Sequence, residues 1–157
     1  MDQESILFYD SPPGRILIAQ QGAAITGLHF FNETKSDEAV VRETALLREA
    51  ARQLEQYFNG KRKHFELPLA LEGTAFQLKV WRALQEIPYG ETRSYAQIAQ
   101  AAGNGKAARA VGMANNRNPI AIIVPCHRVI GADGKLVGYG GGLDKKMYLL
   151  ELEKLNL

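Results

Sequence analysis

The sequence predicts an α/β (α+β) fold in two domains. Residues 1–72 are expected to form an antiparallel sheet with a helix, and residues 73–157 a mostly helical half with a helix-turn-helix. Three observations carry this. Short segments rich in Ile, Leu, Phe and Tyr, separated by Pro and Gly, fill residues 5–31. Two Ser/Thr-x-x-Gln signatures, Thr74 with Gln77 and Ser94 with Gln97, mark helix starts in the second half. An apolar run from Ile120 to Val124 leads into Pro125 and the single cysteine of the chain, Cys126.

Residues 5–9, 15–20 and 24–31 read as a meander, with turns at Ser11-Pro12-Pro13-Gly14 and Gln21-Gly22. Residues 37–58 read as a helix, since Val40, Leu47, Ala51, Leu54 and Phe58 recur at helical spacings and Asn59-Gly60 ends it. Residues 64–71 are a candidate strand. His29 and His64 read as strand-face histidines, because no Cys or carboxylate spacing around them suits a metal. Lys61-Arg62-Lys63 reads as a solvated turn. In the second half, helices are expected over 74–86, 95–102 and 106–115, with Gly103-Asn104-Gly105 as the turn of the helix-turn-helix. The run 120–124 reads as a strand that delivers Cys126. A last helix spans 145–155, capped by Asp144, with Tyr148, Leu152 and Leu155 inward and Glu151 and Glu153 on other faces.

Composition bounds the function. The chain has 157 residues, 46% hydrophobic and 23% charged, which suits a globular protein with its own core. One cysteine excludes an internal disulfide and a multi-cysteine zinc site, and it suits a reducing compartment. The acidic start and the lack of a long apolar run lead us to expect no signal peptide, no membrane span, and a cytoplasmic protein, or a nuclear one in a eukaryote. Net charge is +2, but unevenly placed: 8 basic against 11 acidic residues in 1–72, and 11 against 6 in 73–157. A basic second half is compatible with a polyanionic partner.

Three features of that half are open to chemistry. Cys126, followed by His127 and Arg128, reads either as a buried structural cysteine or as a nucleophile whose thiol is acidified by cationic neighbours. The segment Lys106 to Asn116 is rich in Ala and Gly around one long basic side chain, Arg109. It reads either as a core helix built for tight packing or as a helix that approaches a DNA groove closely. Gly138-Tyr139-Gly140-Gly141-Gly142 lacks the Lys-Ser/Thr of a phosphate loop. It reads either as a linker or as a loop that lets a flat ligand approach.

Taken together, Pro125-Cys126-His127-Arg128-Val129 resembles the active-site motif of the O6-alkylguanine-DNA alkyltransferases (methylated-DNA–protein-cysteine methyltransferases). Ile87-Pro88-Tyr89-Gly90, Ser94-Tyr95, Gly103-Asn104, Ala107 to Gly112, Asn118-Pro119 and Tyr139 with Gly141-Gly142-Leu143 agree in order and spacing over residues 74–153. The resemblance implies a ribonuclease H-like layout in the first domain and a winged helix-turn-helix with an active-site strand in the second. It implies a single-turnover transfer of an alkyl group from O6-alkylguanine, and possibly O4-alkylthymine, to Cys126. His127 would take the thiol proton through a water and Glu153 would orient the imidazole. Tyr95 would help extrude the nucleotide and donate a hydrogen bond to the base, and Asn118 would brace the turn. Arg109 would fill the vacated stack, with Ala107, Ala108, Gly112, Ser94 and Tyr95 against DNA. Tyr139, Gly140, Val129, Pro125 and Lys146 would line the pocket. The partner implied is double-stranded DNA with an alkylated guanine, met from the minor groove by a monomer, with no cofactor and no metal. Two departures stand out: Gly140 replaces a serine common in relatives, and the cysteines of the zinc site held by some relatives are missing. The rival readings are a lesion-sensing binding protein, which would lack the reactive cysteine, and an unrelated Cys-His hydrolase, which would need an oxyanion hole.

Overall fold

The computed structural model describes residues 4–31 and 40–157. The chain divides into two compact units, Met1–Leu71 and Glu72–Leu157.

In the first unit, β1 (Ser5–Ser11), β2 (Gly14–Gln21) and β3 (Ala24–Phe30) form an antiparallel meander, and a short β4 (Val40–Val41) pairs in parallel with β1. The sheet order is β3-β2-β1-β4. The central strand β2 is buried on both faces. Leu17 and Ala19 join Ile6 in one apolar cluster, against which Phe8 and Phe31 pack. Helix α1 (Ala45–Phe58) packs on the meander and buries Leu47, Leu54 and Tyr57. Each such side chain contributes about 1.5–3 kcal/mol when fully buried. The helix predicted over 37–58 is therefore shorter. Its first three residues lie outside the described ones, and Val40 and Val41 are strand, in register with Ser5 and Ile6 of β1. Thr44 caps α1, its side chain accepting from the Leu47 N–H at 3.1 Å. The strand predicted over 64–71 reduces to a single bridge between Ile25 and Leu69, so His64 lies on an irregular, exposed segment.

The second unit is built on α2 (Ala75–Gln85), α3 (Tyr95–Ala101), α4 (Ala108–Asn116) and α5 (Leu143–Leu155). Both predicted capping boxes form: Thr74 and Ser94 each accept from the backbone three residues on, and Gln77 and Gln97 bond back. Such a cap is worth about 1 kcal/mol. Trp81 is buried on α2, and its indole N–H donates to the Ala114 carbonyl at 2.9 Å, which pins the end of α4. Between α3 and α4 the chain turns through Gly103-Asn104-Gly105, giving the helix-turn-helix.

The run 120–124 is not a strand. It makes two overlapping turns, closed by bonds from Ile123 N–H to Ala121 and from Val124 N–H to Ile120. Ile122 stands at φ 70, a left-handed conformation costly for a β-branched residue. Asn118 holds the turns from outside: its Oδ1 accepts from Ile120 N–H at 3.0 Å and its Nδ2 donates to the Val124 carbonyl at 2.7 Å. A single 3-10 turn, Cys126–Arg128, follows. Only then does a strand begin, β6 (Val129–Ile130), pairing in parallel with β5 (Arg93–Ser94).

Helix α5 also departs from its prediction. Gly142, at φ 106, occupies the cap position, and Asp144 sits in the first turn. The buried face carries Lys146, Leu149 and Glu153, while Tyr148 and Leu155 are exposed. Polar partners bury that face, which periodicity alone cannot foresee. No helix among the described residues is long and apolar enough to cross a membrane. Among the described residues no group of His, Cys, Asp or Glu is arranged to hold a metal ion.

Candidate active site

The turns 120–124 and the 3-10 turn set Cys126, His127 and Arg128 into the interior. Cys126 is 5% exposed and His127 is fully buried. Glu153, from the buried face of α5, meets both neighbours of the thiol. Its Oε2 lies 2.6 Å from His127 Nε2. Arg128 grips the same carboxylate through Nε at 2.9 Å and Nη2 at 3.0 Å, and it donates from Nη1 to the Ile87 carbonyl at 2.8 Å. The Gly90 N–H donates to Glu153 Oε1 at 3.1 Å. Arg128 is thus engaged by a carboxylate and is not an activator of sulfur, which corrects one reading of the sequence motif.

Burial alone would raise the Glu153 carboxyl, but bonds and charges from His127 and Arg128 hold it well below the usual carboxylate range. Burial lowers the His127 imidazole, with Glu153 pulling the other way. Burial pushes the Cys126 thiol up, while Asn118, the charge of Lys146 and Tyr139 oppose it. The resting pair is therefore a neutral thiol beside a neutral imidazole. With Glu153 ionised, Nε2 carries the ring proton and Nδ1, buried without a partner among the described residues, is an acceptor.

Around the sulfur stand three further groups. Lys146 is fully buried and lowered to about 8 by burial, with Cys126 opposing. Its ammonium donates to the Val137 carbonyl at 2.9 Å and the Gly138 carbonyl at 3.3 Å, fixing the start of the Gly-rich loop. Tyr95, the first residue of α3, donates to the same Val137 carbonyl at 2.8 Å. Its phenol is raised by burial and by Cys126, so it keeps its proton. The Tyr139 hydroxyl is buried near the thiol and raised well above its ordinary value, first by burial.

Cys126, His127, Glu153, Asn118, Lys146, Tyr139 and Tyr95 thus converge. Pro125 and Val129, both buried, flank the 3-10 turn. Gly140 lies on the exposed loop nearest the Asn116 backbone. The remaining residues named from sequence sit on the helix-turn-helix. Arg109 is exposed on α4, Ala107 precedes it as cap residue, Ala108 opens it, and Gly112 faces the Tyr95 ring. Ser94 is committed to the cap of α3, accepting from Gln97 at 3.1 Å. Sequence reasoning missed Val137, Gly90 and Asn115. Of these, Gly90 stood within the Ile87-Pro88-Tyr89-Gly90 motif, and it lies at φ 81, where glycine is favoured.

This arrangement offers a polarisable nucleophile, a buried base oriented by a carboxylate, and phenol donors above the sulfur. Cys126 is the sole cysteine, so no second thiol is present to form a disulfide with it. Known proteins are similar to this chain along its whole length. Residues 7–71 match the ribonuclease-like domain of 6-O-methylguanine DNA methyltransferase, and residues 75–155 match its DNA binding domain. The chain is 57% identical over 148 residues to a methylated-DNA–protein-cysteine methyltransferase of Methanosarcina acetivorans, covering 92% of this chain and 95% of that one. It is 54% identical over 147 residues to that of Mycobacterium leprae, covering 92% and 89%. Its structure is similar to the O6-methylguanine methyltransferase of Mycobacterium tuberculosis, with a TM-score of 0.88 and 48% identity over 100% of this chain and 95% of that one. The Mycobacterium tuberculosis OGT in complex with DNA gives 0.89 and 50% identity over 98% and 94%.

Proposed function

Because the chain belongs to the 6-O-methylguanine DNA methyltransferase family and repairs DNA by alkyl transfer to a protein cysteine, we propose that Cys126 is the acceptor and O6-alkylguanine in double-stranded DNA the donor. One observation carries the assignment: the sole cysteine lies buried beside an imidazole whose far nitrogen is held by Glu153.

A target atom stacked inside a duplex is out of reach of a buried sulfur, so the nucleotide must rotate out, at a cost of a few kcal/mol. Small residues at Ala107, Ala108 and Gly112 let α4 approach the minor groove, and exposed Arg109 fills the vacated stack. His127 Nδ1, through a water, takes the thiol proton, and the imidazolium so formed is stabilised by Glu153. The thiolate attacks the alkyl carbon as the C–O6 bond breaks, with the electron pair staying on guanine. Tyr95 exchanges its bond to Val137 for one donated to the base, which stabilises the charge that develops on guanine, while Lys146 keeps the loop in place. The product is a thioether, so each molecule reacts once. Such a reactive thiol suits a reducing cytoplasm, and a monomer suffices for the reaction.

Incubation with a duplex carrying O6-methylguanine, followed by mass spectrometry, tests this. A gain of one methyl group in place of the thiol proton, mapped to Cys126, is expected; an unmodified Cys126 refutes it. Cys126→Ala should abolish transfer while gel-shift binding to the same duplex persists.

A further inference from the structure

Asn115, on α4, is 2% exposed. Its Nδ2 donates at 3.3 Å to the Cys126 carbonyl, in the peptide bond that joins the cysteine to His127. Its Oδ1 is buried, and no donor of the described residues reaches it. His127 Nδ1 is in the same condition, while Nε2 is committed to Glu153. Two buried acceptors therefore belong to side chains that meet the same peptide bond. They cannot satisfy each other, because both only accept. One water placed between them would satisfy both, since it has two O–H donors and keeps lone pairs free. The titratable groups around this place are Lys146, Tyr139 and Tyr95 at the sulfur, and Glu153, Arg128 and Lys146 at the imidazole.

We infer that Asn115 is a positioning residue for the alkyl transfer. Its Oδ1 accepts one O–H of a buried water whose other O–H is donated to His127 Nδ1, and this turns a lone pair of the water toward the Cys126 thiol. The inference rests on Cys126 being the acceptor. The proton bookkeeping closes: the thiol proton passes to the water as a proton of the water passes to Nδ1. The freed pair on sulfur forms the C–S bond, and the C–O6 pair leaves with guanine, which takes up one proton from solvent as the His127 imidazolium returns one to solvent. The sum is thiol plus O6-alkylguanine giving thioether plus guanine. Without Oδ1 the water is free to rotate, and its lone pair faces the thiol only part of the time.

Two measurements test this. A crystal structure of the wild-type protein that resolves waters should show one within about 3 Å of both Asn115 Oδ1 and His127 Nδ1. A water on His127 alone, or none, overturns the inference. Asn115→Leu, close in shape, should slow single-turnover methyl transfer from duplex O6-methylguanine about 10- to 100-fold, a share of the about 10²–10⁴-fold that general bases supply. The ultraviolet thiolate absorbance of this variant should appear at higher pH, and its duplex affinity should be unchanged. A folded Asn115→Leu with wild-type rate and wild-type thiolate titration overturns the inference. If that variant does not fold, the wild-type water decides alone. Loss of the acceptor reading is distinct: the wild type itself would then carry no alkyl group on Cys126.

Discussion

At the scale of single residues, Glu153 does the most. One carboxylate orients His127, neutralises Arg128 and accepts from the Gly90 backbone. Removing one partner of a buried ion pair leaves an uncompensated charge. Glu153→Ala should therefore cost roughly 3–5 kcal/mol, read as a lower denaturant midpoint. Acid should act on the same network. The Glu153 carboxyl is depressed in the folded state, so its contribution is present above about pH 4.3 and lost as pH falls toward its folded value. His127 is also depressed, so the unfolded chain takes up its proton first as pH falls below about 6.5. Both groups bind more protons when unfolded, and both make stability fall with acidification. A set of thermal melts from pH 7 downward should show Tm declining, and below about pH 4.3 the decline should be shallower in Glu153→Gln than in the wild type.

At the scale of elements, α4 was open to two readings, tight packing or groove approach, and Gly112 separates them. A Cβ built there would stand 3.8 Å from the Tyr95 ring, an ordinary contact, so packing does not require glycine. Gly112→Ala should leave stability unchanged or raise it by up to about 1 kcal/mol, the propensity gain of alanine in a helix. Duplex affinity should fall, because the added methyl meets the DNA wall; unchanged affinity in a gel shift would favour packing. The elements most legible in the sequence were the locally determined ones. Thr74 and Ser94 cap α2 and α3 through residues three positions on, and the meander follows its turns. The illegible ones depend on distant partners. Ile120 to Val124 is apolar and, apart from Ala121, β-branched, which reads as a strand, yet Asn118 bends it and Ile122 adopts a left-handed φ. Periodicity on α5 set Leu155 inward, but Lys146 and Glu153 are buried because residues 9 and 63 positions away receive them.

At the scale of the whole molecule, the functional groups all belong to the unit Glu72–Leu157, which also holds the excess of basic residues. DNA binding should carry a counterion term, so affinity should fall as salt rises, in a straight line on logarithmic axes. Arg109, exposed on α4, should matter only when a duplex must be held open. Arg109→Ala should slow reaction with a modified duplex more than with free O6-alkylguanine base; equal slowing in both would remove it from the stack-filling role. The residues that converge on Cys126 were legible through the spacing of the family motifs. Asn115 and Val137 were not, since one contributes a buried carbonyl and the other only its backbone.

The parallel pair of β5 and β6 has a consequence for selectivity. Its two rungs, Arg93 with Val129 and Ser94 with Ile130, join the start of the helix-turn-helix to the chain just after the nucleophile. The pair works as a gauge block between the part that meets DNA and the sulfur. Whatever its length, an alkyl chain must bring its first carbon to one set point. Under the proposed reaction, discrimination by bulk then falls to the Gly-rich loop, where Gly138 and Gly142 sit at positive φ and Gly140 carries no side chain.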